Sequence, residues 1–171
     1  MKRVEILRTY LELADPASCP APESPDPRSR VERVLDCPAS FFRYLYVEVG
    51  RGYHWRDRLG WTDEQIRDRV ADPSVSLHLL SVAGAPAGYF ELQRHADRSV
   101  EIVYFGLLPE FIGQGLGKQL LTEAVAAAWK LGAARVWLHT CSLDDRAAIP
   151  NYLARGFRPF KTETYESDLP E

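Results

Sequence analysis

The sequence predicts a mixed α/β fold, a mostly antiparallel central sheet flanked by helices, and three observations predict it. Three β-rich segments, VSLHLLSVAG, APAGYFELQRH and RSVEIVYFGLL, are joined by Gly-Ala-Pro and His-Ala-Asp turns, the short connections of antiparallel neighbours. The stretch that follows, residues 115–131, spaces Leu116, Leu120, Leu121, Val125 and Ala128 as one face of a helix. After it, strand and helix patterns alternate to residue 165. At 171 residues the chain is sized for one domain with a single sizeable core.

Taken in order, residues 3–13 are rich in β-branched and aromatic types and read as a strand. Residues 14–27 hold five prolines and read as an extended loop. The apolar string from Pro38 to Gly50 is compatible with helix or strand, and helix is favoured. An irregular aromatic and cationic loop follows, and Thr62 with Gln65 then forms a capping box opening a helix that stops before Pro73. The meander comes next, then the long helix ended by Gly132. A strand over 134–140, a helix over 145–155 and a last strand over 157–165 complete the series.

Bulk properties bound the function. A net charge of -3 argues against nucleic-acid binding, which needs a basic stripe. No apolar run is long enough to span a bilayer, and Glu5, Arg8 and Glu12 interrupt the first segment where a secretory leader would be continuous, so none is expected. Three scattered cysteines, Cys19, Cys37 and Cys141, suit a reducing cytoplasm and assemble no zinc motif.

The chemistry concentrates in EIVYFGLLPEFIGQGLGKQLL, residues 101–121. A strand ends, Pro109 turns the chain, and Gly113, Gly115 and Gly117 lead into the long helix. Glycines let backbone N–H groups approach an anion, and a helix N-terminus favours negative charge, so the junction suits a phosphate or pyrophosphate. A Walker loop would need glycine at 112 and a hydroxyl at 119, where Ile112 and Gln119 stand. The dinucleotide spacing fails as well. A purely structural turn remains the bland alternative.

Two elements give this chain a resemblance to the GNAT N-acetyltransferases. Ile112-Gly113-Gln114-Gly115-Leu116-Gly117 is similar to the family's Arg/Gln-x-x-Gly-x-Gly/Ala, with Ile112 at the position of Arg or Gln. DRAAIPNYLARGF supplies Asp145, Ala148, Tyr152, Gly156 and Phe157 in the family's N-x-x-A-x-x-x-Y-x-x-x-G-F order, with Asp145 replacing asparagine. The resemblance covers roughly Val75 to Tyr165. It implies acetyl-CoA as co-substrate, no metal, and an amine acceptor that is a small molecule or a peptide; a homodimer is left open.

By that resemblance, Leu107, Leu108, Ile112, Gly113, Gln114, Gly115, Leu116, Gly117, Lys118 and Asp145 bind the cofactor. Tyr152 protonates the departing thiolate, and Glu101 relays a proton from the amine, with Glu91 its competitor. Backbone N–H groups at a strand bulge around Phe105, Gly106 and Leu107 would hold the developing oxyanion, and Gly106 is the bulge signal. Tyr53, His54, Trp55 and Trp61 are candidates to box a cationic acceptor, with Arg56 and Arg58 favouring a carboxylate on it; a satellite hydrophobic cluster explains the same residues. His139 and Cys141 lie two residues apart on one strand and read as pocket lining. Two rival readings stay open: a degenerate member that binds acyl-CoA as a sensor, and a non-enzymatic binding domain with a structural glycine turn.

Overall fold

A computed structural model describes residues 2–20 and 25–169. Its elements run β1 (Lys2–Leu13), β2 (Ser29–Val34), α1 (Ala39–Gly50), α2 (Asp63–Ala71), β3 (Val75–Val82), β4 (Ala85–Arg94), β5 (Ser99–Leu107), α3 (Leu116–Lys130), β6 (Arg135–Cys141), α4 (Ala148–Ala154) and β7 (Arg158–Leu169). The seven strands form one sheet in the order β2-β3-β4-β5-β6-β1-β7. Every neighbouring pair is antiparallel except β5 and β6. The mixed α/β architecture and the meander are therefore as the sequence predicts.

Two hydrophobic clusters cover the two faces of the sheet. Leu92, Val100 and Ile102 pack on one side with Leu120, Leu121 and Val125 of α3 and with Tyr152 and Phe157. Leu77 and Tyr89 pack on the other with Phe42, Leu45 and Val49 of α1 and Ile66 of α2. The alternation of the strands dictates this split, since successive side chains leave opposite faces. Thr62 accepts from the Gln65 N–H, and Gln65 accepts from the Thr62 N–H, so the capping box opens α2 as expected. Gly132, at φ 80°, closes the C-terminus of α3.

One element is absent from the sequence reading, and the order of the strands adds what the sequence leaves open. Residues 29–34, unassigned there, form the edge strand β2, which pairs with β3 and is tied to α3 by Ser29 and Gln119. The first strand lies inside the sheet. β1 pairs with β6 through Arg8–Leu13 and with β7 through Lys2–Glu12, and so separates two strands that are successive along the chain. Among the described residues no helix is long and apolar enough to cross a membrane.

Candidate functional site

The site begins where the sheet opens. β5 and β6 are paired in parallel only from Ser99/Arg135 to Glu101/Trp137. Beyond that point β5 stays paired with β4 as far as Leu107, and β6 stays paired with β1 as far as Cys141. Both flanks hold while the seam between them parts. Its edges carry backbone N–H and C=O groups that need a partner, and an extended ligand can supply one.

A bulge accompanies the parting. Glu91 pairs with Tyr104 and Leu92 with Ile102, so Val103 is the extra residue, and such an insertion bends the strand. This corrects the expectation that Gly106 marks the bulge. Gly106 is glycine for another reason: a Cβ there would stand 2.5 Å from Val49 Cγ1, so its bareness lets α1 lie against β5.

The turn after β5 presents the next part. The Leu108 N–H donates to the Ala87 carbonyl at 2.8 Å and its carbonyl accepts from Phe111, so its backbone groups are used within the fold and its side chain is buried. Leu107 ends the strand beside it. The Ile112 N–H donates to the Pro109 carbonyl, and its side chain is 46% exposed. From Gly113 to Lys118 the N–H groups donate to none of the described residues. Gly113 and Gly115 have φ of 83° and 78° with open space where a Cβ would project. Glycine supplies that left-handed backbone, and its missing side chain keeps the surface clear. Gly117 has no such demand, since a Cβ would make ordinary contact with Leu107 at 3.9 Å. Leu116 is buried, anchoring the first turn of a 15-residue helix whose dipole favours an anion here. The Gln114 amide donates back to the Glu110 carbonyl at 3.1 Å, and Lys118 is exposed.

Beside this turn α4 carries Tyr152, 8% exposed. Its ring meets Phe105 of β5 and Phe157 edge-on, with centroids 6.3 and 6.1 Å away. Burial first, then the charge of Asp144, raises its hydroxyl above the usual tyrosine value, so it keeps its proton at neutral pH. Asp144 accepts from the Thr140 hydroxyl at 2.6 Å and the Cys141 N–H at 2.8 Å, fixing the end of β6. Asp145 is exposed, and its carboxylate takes the Ala147 N–H at 2.8 Å in the turn leading into α4.

Glu101 lies at the last paired position of the seam, and its carboxylate meets His95 Nε2 at 2.9 Å. The same face carries Trp137 and His139 of β6 and Tyr10 of β1. His95 lies 5.6 Å from Trp137 with the rings tilted by 34°, and Tyr10 lies 5.6 Å from His139. His139 is open to solvent at its edge, yet the dense surroundings of its ring and then the Arg8 guanidinium hold its pKa below the ordinary value.

Glu91 is a different kind of carboxylate. It is wholly buried, bridged by Arg58 at 2.6 and 3.0 Å and by Arg69 Nε at 2.8 Å. Arg58 in turn lies under Trp61 and Tyr104, 4.6 and 4.4 Å from their ring centres. With its oxygens committed to two guanidiniums, Glu91 braces the sheet against the loop. The cation box is corrected by the same contacts. Trp61 covers the chain's own Arg58, and Trp55 packs among Tyr46, Tyr89 and Tyr104 in the second core cluster. Tyr53 stands next to Trp55, and burial raises its hydroxyl as well. His54 takes a left-handed backbone at φ 56°, and Arg56 donates to the Asp168 carbonyl.

The structure sets Tyr152 against Phe105 of β5 and Glu101 at the last paired position of the seam, and commits Glu91, Arg58, Trp55 and Trp61 to contacts within the fold. The sequence reading gave His95, Tyr10 and Trp137 no role in the site. The only signal in the sequence for the Glu91 cluster is a glutamate inside the apolar run GYFELQ, facing an arginine-rich loop.

A model of the acetyltransferase (GNAT) family matches residues 31–157. An uncharacterised N-acetyltransferase of Mycobacterium bovis is 33% identical over 96 residues, covering 56% of this chain and 61% of that protein. The chain therefore spans about three fifths of that relative's length. Among solved structures, a GCN5-related N-acetyltransferase from Kribbella flavida superposes with a TM-score of 0.65 at 21% identity, over 94% of this chain and 56% of that one. An aminoglycoside acetyltransferase from an uncultured soil metagenomic sample gives 0.61 at 14% identity, over 76% and 89%. An IAA acetyltransferase from Bacillus cereus gives 0.59 at 21%, over 78% and 79%. At these identities the likeness to the solved structures is one of fold.

Proposed function

The chain belongs to the acetyltransferase (GNAT) family, and from that premise we propose that it transfers an acetyl group from acetyl-CoA to a primary amine by direct attack in a ternary complex. One observation carries the reading: the parted seam of β5 and β6 ends at the glycine turn, with the buried hydroxyl-bearing ring of Tyr152 beside it. An extended amide-containing arm pairs with the open strand edges, and the N–H groups from Gly113 to Lys118 take the pyrophosphate. That arrangement puts the thioester near Phe105 and Tyr152.

The chemistry follows from those positions. A primary ammonium with a pKa of about 10.4 must first lose a proton. Glu101, through water, takes it. The free amine attacks the thioester carbon, and backbone N–H groups turned into the seam stabilise the oxyanion. The carbon–sulfur bond then breaks, and Tyr152 gives its proton to the departing thiolate while the nascent amide sheds its own to solvent. The acceptor approaches over the face formed by Tyr10, Trp137 and His139.

The test is a thermal shift with acetyl-CoA followed by thiol release with a panel of amines. Stabilisation together with amine-dependent thiol release supports the enzyme. Stabilisation without turnover on any amine selects the sensor reading, and no stabilisation at all removes acyl-CoA binding.

A further inference from the structure

Arg155 is an unexplained charge. It closes α4, is 5% exposed, makes no ion pair among the described residues, and its Nε has no hydrogen-bond partner. A guanidinium does not lose its proton in a protein, so burial cannot neutralise it as it would a lysine or a carboxylate. Holding a permanent charge out of water without a counter-ion is costly, and the usual resolution is an anion.

The surroundings say where that anion sits. A groove of about 190 Å³ runs along the start of α3, lined by Gly115, Lys118, Gln119 and Thr122 on one side and by Asp26 and Arg155 on the other. It therefore opens on the N-terminal turn of α3, where the row of undonated N–H groups begins. Lys118 points into the same groove without an ion pair among the described residues. Among the described residues the one carboxylate lining it, Asp26, is already bound by Arg28 through two guanidinium contacts at 3.1 and 2.8 Å. Among the described residues, two cations and a helix terminus thus face a space whose one carboxylate is spoken for.

We propose that Arg155 and Lys118 bind a phosphate monoester of the acyl donor, the group on its ribose, next to the pyrophosphate held by the glycine turn. The assignment rests on the acyl-CoA reading above. It gives the donor a second anchor, distinct from the backbone cradle, and makes the protein select phosphorylated over dephosphorylated donors. A guanidinium suits the role because its planar fork matches two phosphate oxygens at once.

Calorimetric titration of the full chain with CoA and with 3′-dephospho-CoA tests it. The wild type should bind CoA roughly tenfold or more tightly than 3′-dephospho-CoA, the worth of one charge-assisted contact. Arg155→Met should bind CoA and 3′-dephospho-CoA alike, at the affinity the wild type shows for 3′-dephospho-CoA. Arg155→Lys should recover part of the preference. Equal wild-type affinity for the two nucleotides overturns the proposal without any mutant being made. An equal loss of both affinities in a folded Arg155→Met also overturns it, because it marks a structural arginine. Inorganic phosphate that raises the melting temperature of a wild type showing no nucleotide preference would assign the groove to free phosphate instead. Failure of either nucleotide to bind the wild type counts against the acyl-CoA reading itself.

Discussion

Tyr152 stands edge-on to Phe105, with ring centroids 6.3 Å apart, so the side chain that can donate a proton is pinned to the strand that forms one lip of the opened seam. The contact crosses from α4 to β5 and joins two motifs that lie far apart in the sequence. It also means that removing the hydroxyl leaves the packing of the ring in place.

Tyr152→Phe should accordingly retain its melting temperature and its acetyl-CoA affinity within a few-fold, while kcat falls by about 10²–10⁴. Because burial raises the hydroxyl above its ordinary value, the acid form persists through neutral and moderately alkaline pH. Loss of kcat on the alkaline side below about pH 10 should then belong to another group. A pH profile of kcat for wild type and variant checks both points. Normal turnover in a folded variant would retire Tyr152 as the acid.

The glycines of the turn should separate by backbone geometry. Gly115→Asp places a carboxylate where the pyrophosphate is proposed to sit and forces a left-handed backbone on a residue with a Cβ, costing about 1–2 kcal/mol. The stabilisation by acetyl-CoA should vanish. Gly117→Ala meets neither obstacle and should keep both fold and affinity. Thermal shifts of the two variants with and without acetyl-CoA decide the matter, and identical behaviour would undo the assignment of the turn.

The two glutamates should fail in different ways. Glu91→Gln leaves Arg58 and Arg69 facing a neutral amide in a sealed site, so unfolding should become easier by about 3–5 kcal/mol, read from urea melts. Glu101→Gln, at the partly open end of the seam, should leave stability within about 1 kcal/mol and reduce kcat/KM instead. The reverse pattern would exchange their roles.

A pH effect on stability is built into β3. His78 stacks on Phe90 at 4.5 Å, and burial, with the charge of Arg33 added, lowers its pKa to about 4. The unfolded chain binds that proton with a pKa near 6.5, so acid favours unfolding. The contribution is complete above about pH 6.5 and is lost as pH falls through about 4. Urea midpoints at pH 7 and pH 5 should drop more for the wild type than for His78→Gln.

Much of the fold was legible in local patterns. The capping box at Thr62, the meander and the apolar face of α3 are all written within a few residues of one another. β2 was missed because SRVERV is mostly polar and gains its partner only from β3 and Gln119. The bulge at Val103 was misplaced because register is a relation between strands, and Gly106 advertised a close approach of α1 with the same residue type. The glycine turn and Tyr152 were visible as motifs. The cluster of Arg58, Arg69 and Glu91 was not, since its members meet only after α2 folds onto the sheet.

The placement of β1 sets a schedule for the molecule. Its partners are β6 and β7, so the strand that comes first of the seven in chain order is among the last to find its neighbours. Until residues 135–141 and 158–169 have been made, two rows of backbone groups on β1 stay unsatisfied and available to any other extended chain. Such long-range pairing slows folding. An exposed strand edge that waits for distant partners is the kind of segment through which incompletely folded chains associate.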